Sequence, residues 1–181
     1  MFIVVGELLC MLVALLIVRL HTGAWLAFAL APTSQAIFAG ALGALVPLAA
    51  NWWIWRDRGR RAPRVWTAFA GIIERLRPLL AVPLLAMGAW ELVGLSVLAG
   101  VAEEMLFRGA LQPLVGLVGA SVIFGALHAL TPGYFLLATL LGLLMGSLYE
   151  LTGSLLAPVV MHTLYDLGAL YLLRRIFATA P

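Results

Sequence analysis

Ala102-Glu103-Glu104-Met105-Leu106-Phe107-Arg108-Gly109 sets three ionisable side chains in a run that is otherwise apolar. Charges in hydrocarbon are costly unless they are paired or turned toward a polar cavity, so such a stretch is a functional candidate wherever the chain spans a bilayer. On a helix, Glu104 and Arg108 are four residues and about 40° apart, within reach of an ion pair. Glu103 is rotated about 100° from Glu104, which frees it to face something else. The plainer alternative is that both carboxylates only satisfy Arg108 or cap a helix end.

The surrounding composition decides which solvent this stretch meets. The 181-residue chain is 64% apolar and 10% charged, with a mean hydropathy of +1.10. That is too little charge to cover a water-soluble surface. Long runs rich in Leu, Ala and Gly, without alternation, predict an all-α, polytopic transmembrane helical bundle rather than a barrel. Cys10 is the single cysteine, which excludes an intrachain disulfide and a cysteine ligand set.

All eleven basic residues are arginine, and five of them lie between Arg56 and Arg64. This run follows Asn51-Trp52-Trp53-Ile54-Trp55, an aromatic belt at a membrane boundary, and should stay cytoplasmic. It suits anionic lipid headgroups. No soluble domain accompanies it, so nucleic acid is not an expected partner.

Six spans are expected: Phe2 to Val18, Ala36 to Trp55, Glu91 to Leu114, Leu117 to Leu130 with some extension, Tyr134 to Glu150, and Leu155 to Leu173. Arg174 and Arg175 then place the C-terminus on the same side as the arginine loop and the N-terminus. Seven spans is the alternative count. Trp25 to Ala31 is too short to cross and is expected at the interface. Val65 to Arg77 reads as an amphipathic surface helix, and Leu79 to Trp90, with Pro83, as a re-entrant or bent lead-in. Glu7, near a helix end, is expected to snorkel to the interface. Ser154 is the expected N-cap of the last helix, and Gly142 with Gly146 forms a small-residue pattern for close helix approach.

Further polar groups stand out in the C-terminal half: His128, four residues after Phe124, and the pair His162 and Asp166, also four apart. At 1.5 Å per residue from the expected helix starts, Glu103 lies roughly 18 Å along its helix, His128 about 16 Å, His162 about 10 Å and Asp166 about 16 Å. Three helices therefore bring ionisable groups to similar depth, near the middle of a core about 30 Å thick. Taken singly, His128 could serve only helix packing, His162 with Asp166 could be a structural pair, and Phe124 reads as a packing residue that shapes a cavity.

Glu103-Glu104-Met105-Leu106-Phe107-Arg108, Phe124-Gly125-Ala126-Leu127-His128 and His162-Thr163-Leu164-Tyr165-Asp166 resemble the EExxxR, FxxxH and HxxxN/D motifs of the CAAX protease and bacteriocin-processing family of intramembrane proteases. Leu148 to Leu155 is similar too, and the resemblance covers about residues 91 to 173. It implies a glutamate-type endopeptidase. Glu103 would be the general base, His128 would help position water, and Glu104 with Arg108 would support the base. His162 and the residue four beyond it would stabilise the developing oxyanion. The family often has Asn where this chain has Asp166; an ionised Asp would repel an oxyanion, so Asp166 must be neutral, bind differently or, as the favoured reading has it, orient His162.

Hydropathy and charge divide the chain into N-terminal spans (1–55), a basic loop with the amphipathic or re-entrant segment (56–90), a core (91–173) that the resemblance marks as CAAX-protease-like, and a tail (174–181). No cofactor and no metal are expected: there is no HExxH motif, and Arg108 puts positive charge beside any ligand set built from His128, His162 and the acids. Zinc at those histidines is the alternative. The expected partner is a membrane-anchored peptide or protein, such as a bacterial membrane anchor or C-terminal sorting signal, cut at the bacterial inner membrane. Prenylated CAAX substrates remain an alternative substrate class. A noncatalytic scaffold or immunity protein and a proton-coupled transporter are the other function classes.

Overall fold

The computed structural model describes residues 2–23, 33–57 and 60–179. Among them the regular elements are helices: α1 (Phe2–Thr22), α2 (Ser34–Asp57), α3 (Pro63–Ala86), α4 (Ala89–Glu104), a π-helical segment (Met105–Leu111), α5 (Gln112–Leu127), α6 (Pro132–Thr152) and α7 (Leu156–Thr179). Five stretches are long and apolar enough to cross a bilayer: Val4–Thr22, Ser34–Asp57, Ala89–Leu127, Pro132–Thr152 and Leu156–Thr179. Their outer faces expose side chains such as Leu8, Leu12, Leu45, Val46, Val118 and Leu136, while Glu104 and Arg108 are buried. An apolar exterior around a charged interior suits lipid, and the chain has the arrangement of a multi-pass, all-α membrane protein. The expected interfacial piece, Trp25 to Ala31, lies outside the described residues.

Local chemistry sets the helix ends. The Glu91 carboxylate accepts from the Gly88 N–H at 2.6 Å and opens α4. Thr131 Oγ1 accepts from the Tyr134 N–H at 3.0 Å, and Pro132 takes a first-turn position of α6 where its missing N–H costs nothing. Ser154 Oγ accepts from the Leu156 N–H at 3.2 Å and caps α7 as expected.

Two expectations are corrected. No boundary follows Pro78: α3 continues through Pro78 and Pro83 to Ala86, and Ala89 and Trp90 already belong to α4. Leu79 to Trp90 is therefore not a separate re-entrant or bent segment. The carbonyls that the two prolines deprive of an N–H belong to Glu74 and Leu79, both on exposed positions, where the loss is tolerated. Glu7 does not snorkel; it is 8% exposed and faces inward.

Contacts fix the helix directions. Gly40 packs on Ala157 and Val160, and Leu48 packs on Gly168, so α2 runs parallel to α7. Gly100 packs on Val159 and Thr163 while Leu92 lies beside Leu167 and Tyr171, so α4 is antiparallel to α7. Arg108 bonds the Gly142 carbonyl and Gln112 the Gly146 carbonyl, which sets the π-helical segment parallel to α6. Beyond Gly116 the order inverts: Gly146 meets Leu117, Gly142 meets Ser121, and Gly125 meets Thr139. The chain reverses at Gly116, whose φ of 76° and ψ of 169° suit glycine. The returning leg ends at Leu127, earlier than expected, and 117–127 rises only about 16 Å.

Candidate functional site

The two adjacent glutamates close α4, and a wide π turn follows, with the Gln112 N–H bonded back five residues to the Phe107 carbonyl. Such insertions re-aim side chains and are frequent at functional sites. Here Arg108 remains four residues from Glu104 while its guanidinium also reaches α6. Arg108 Nη1 donates to Glu104 Oε1 at 2.7 Å, and Nη2 donates to the Gly142 carbonyl at 2.9 Å. Both side chains are essentially inaccessible to solvent. The guanidinium also lies over the Phe124 ring, 5.0 Å from its centroid.

Glu104 holds a second partner. His162 Nδ1 donates to the same Oε1 at 2.7 Å, joining α7 to the end of α4. That bond fixes the His162 ring; Asp166 Oδ2 stands 3.6 Å from Nε2, too far for a direct hydrogen bond. The orienting role expected of Asp166 therefore belongs geometrically to Glu104. Asp166 instead faces the free edge of the imidazole.

Glu103 points the other way. Its Oε2 lies 3.8 Å from His128 Nε2 and 4.0 Å from His162 Nε2, and it has no hydrogen-bond partner among the described residues. His128 Nδ1 is 2.8 Å from the Phe124 carbonyl. A carbonyl oxygen can only accept, so Nδ1 carries the proton and Nε2 is the nitrogen presented to Glu103. Phe124 packs between the two histidines, with ring centroids 4.4 Å from His128 and 6.0 Å from His162. The structure thus brings Glu103, Glu104, Arg108, Phe124, His128, His162 and Asp166 into one cluster.

A cavity of about 270 Å³ reaches this cluster. Phe69, Ile72, Ile73, Leu76 and Leu80 of α3 line it together with residues of α7. Glu103, His128, His162 and Asp166 supply the polar part, joined by Glu7, Asn51, Tyr134 and Tyr165. Asn51 Nδ2 donates to the Tyr165 hydroxyl at 3.3 Å.

Sequence reasoning missed Glu7, the Glu104 to His162 bond and the π turn. The signal for Glu7 was present, since it is the single acid in the first apolar run. Its nearness to a helix end favoured the interface, and only the packing of α1 against α4 and the π-helical segment turns it inward.

Residues 85–168 match the model of the Type II CAAX prenyl endopeptidase Rce1-like family. The matched segment contains every residue of the three motifs. It leaves out α1, α2 and most of α3, and with them Glu7 and the α3 wall of the cavity. Over 79 residues the chain is 42% identical to the uncharacterized protein YpbD of Bacillus subtilis (strain 168), an alignment covering 42% of this chain and 42% of that relative. The match thus spans less than half the length of the relative. No solved structure matches the chain.

Proposed function

We propose that the protein is an intramembrane endopeptidase that hydrolyses a peptide bond in a membrane-associated protein, with water activated by Glu103. The observation that carries this reading is the Glu103 Oε2 atom, without a hydrogen-bond partner among the described residues, set between two imidazole Nε2 atoms at 3.8 and 4.0 Å. A water at the apex between Glu103 and His128 bonds to both. The match of residues 85–168 to an endopeptidase family supports the same chemistry.

In this mechanism Glu103 takes a proton from the water while its oxygen attacks the scissile carbonyl carbon. The carbonyl oxygen becomes negative and accepts a hydrogen bond from His162 Nε2–H, with Glu104 holding Nδ1–H. Asp166 Oδ2, 3.6 Å from Nε2, makes no direct hydrogen bond to it and leaves Nε2–H open to the oxyanion. Glu103 then returns its proton to the amide nitrogen, the C–N bond breaks, and the products are a carboxylic acid and an amine. Arg108 balances Glu104, which leaves Glu103 as the acid available for proton transfer.

Dividing Ala89–Leu127 at Gly116 gives six crossings, with 117–127 a short one and α3 starting at the end of the bundle where α2 finishes. Parallel α2 and α7 put the arginine loop and Arg174 and Arg175 at that same end, which the bias of basic residues makes cytoplasmic together with the N-terminus. The loop there meets anionic headgroups of a bacterial inner membrane. In this organisation 1–55 and 56–90 frame a catalytic core at 91–173, followed by the tail 174–181. The substrate is a bacterial membrane anchor or C-terminal sorting signal, whose helix must unwind locally before its carbonyl can be attacked.

The test is mass spectrometry of candidate membrane peptides co-expressed with wild type or with Glu103→Gln. Products made only by the wild type support the reading. Equal products from both overturn it.

A further inference from the structure

Glu7 lies on α1, outside the segment that matches the endopeptidase family. It is 8% exposed, it lines the cavity that reaches the Glu103 cluster, and its Oε2 has no hydrogen-bond partner among the described residues. Glu103, His162 and Asp166 line the same cavity. A buried carboxyl oxygen left without a donor lowers stability, so packing alone does not account for an acid at this position.

The charge inventory of the cavity says what would satisfy it. Arg108 and Glu104 pair with one another. The remaining ionisable carboxylates on the cavity wall are Glu7, Glu103 and Asp166, against the imidazoles of His128 and His162. Three carboxyl groups therefore share the cavity with two imidazoles, so its wall holds more acids than bases. Much of the rest of the wall is apolar, with Phe69, Ile72, Ile73, Leu76 and Leu80 contributed by α3 alone. A ligand that complements this lining is an apolar segment carrying one positive charge.

We propose that Glu7 forms a subsite for a cationic group of the substrate, an ammonium or guanidinium borne by an otherwise apolar peptide. The proposal rests on the endopeptidase reading for the word substrate, but the binding it describes is measurable without cleavage. A lysine or arginine suits the site because its aliphatic stem packs on the apolar wall while the head reaches the carboxylate. A free α-amine offers the same chemistry without the stem.

The experiment uses the full chain in lipid nanodiscs and three short leucine–alanine peptides. One is N-acetylated with a central lysine, the second is N-acetylated with norleucine in its place, and the third carries norleucine and a free N-terminus. Wild type should bind the lysine peptide at least about tenfold more tightly than its norleucine counterpart, the scale of a close buried charge pair. Glu7→Gln should bring that ratio to near one, and Glu7→Asp should retain part of it. A preference for the free-amine peptide alone identifies an α-amine as the group recognised.

Equal affinities in wild type overturn the proposal, as does a ratio that survives in Glu7→Gln. A photo-reactive group beside the lysine provides a readout that needs no variant: cross-links must fall on α1, and cross-links confined to other helices overturn the subsite. Should Glu103→Gln and wild type give equal products from co-expressed membrane peptides while the lysine preference holds, the endopeptidase reading fails and the cation subsite stands.

Discussion

His162 Nδ1 donates to Glu104 Oε1 at 2.7 Å, and this bond ties α7 to the end of α4 through the same oxygen that receives Arg108. Glu104 is thus the hub of a buried chain running from the Gly142 carbonyl through the guanidinium to the imidazole. Glu103, its neighbour in sequence, has no such partner. Two adjacent identical side chains therefore carry opposite expectations for mutation.

Arg108→Ala removes the guanidinium from Glu104 and from the Gly142 carbonyl together. Breaking one side of a buried ion pair typically costs about 3–5 kcal/mol. Unfolding of the purified protein in detergent should show a loss of that order. Arg108→Lys should fall between, because an ammonium is a point charge and cannot span both acceptors with the fork of a guanidinium. Wild-type stability in Arg108→Ala would sink the buried pair.

Glu103→Gln should leave stability near wild type, because Oε2 makes no hydrogen bond to the described residues. Peptide cleavage should fall by about 10²–10⁴, the range for loss of a general base. Glu104→Gln should instead lose stability and activity together, since an amide replaces the shared acceptor of Arg108 and His162. Substantial cleavage by Glu103→Gln would remove it from the base role, whatever its folding.

The bundle itself was legible in hydropathy, because length and apolar composition alone define a crossing. The clustering of Glu103, His128 and His162 was legible as a coincidence of depth along three helices. Rotation about each helix axis was not, and it decides that His162 bonds Glu104 rather than resting on Asp166. Periodicity also fails at the π turn, which shifts the phase of every residue after Met105, and at Glu7, whose inward aim depends on which face of α1 meets α4. Pro78 misled for a local reason: its missing N–H leaves an exposed carbonyl open, and α3 passes through.

His128 stands at the end of α5 with its tautomer set by the Phe124 carbonyl. His128→Ala should lower kcat by about 10²–10³ through loss of the group proposed to position water with Glu103. Its side chain is 28% exposed, so stability should change little. A rise in KM with kcat unchanged would assign His128 to substrate binding instead.

Gly116 and Gly153 both have positive φ, yet they should respond differently to the same substitution. Gly153, at φ 62° and ψ 15°, closes α6 in the left-handed helical region, which asparagine tolerates. Gly116, at φ 76° and ψ 169°, occupies a region essentially restricted to glycine, and beyond its own stretch of chain no described atom lies within 4 Å of where its Cβ would be built. Sterics with neighbours therefore play no part there, and the backbone alone decides. Gly153→Asn should cost a few tenths of a kcal/mol, whereas Gly116→Asn and Gly116→Ala should each cost about 1–3 kcal/mol. Because the reversal at Gly116 sets the leg carrying Phe124 and His128 against α6, the Gly116 variants should also lose cleavage in step with their stability. Equal tolerance of asparagine at the two positions would show that the chain turns at Gly116 by some other backbone conformation.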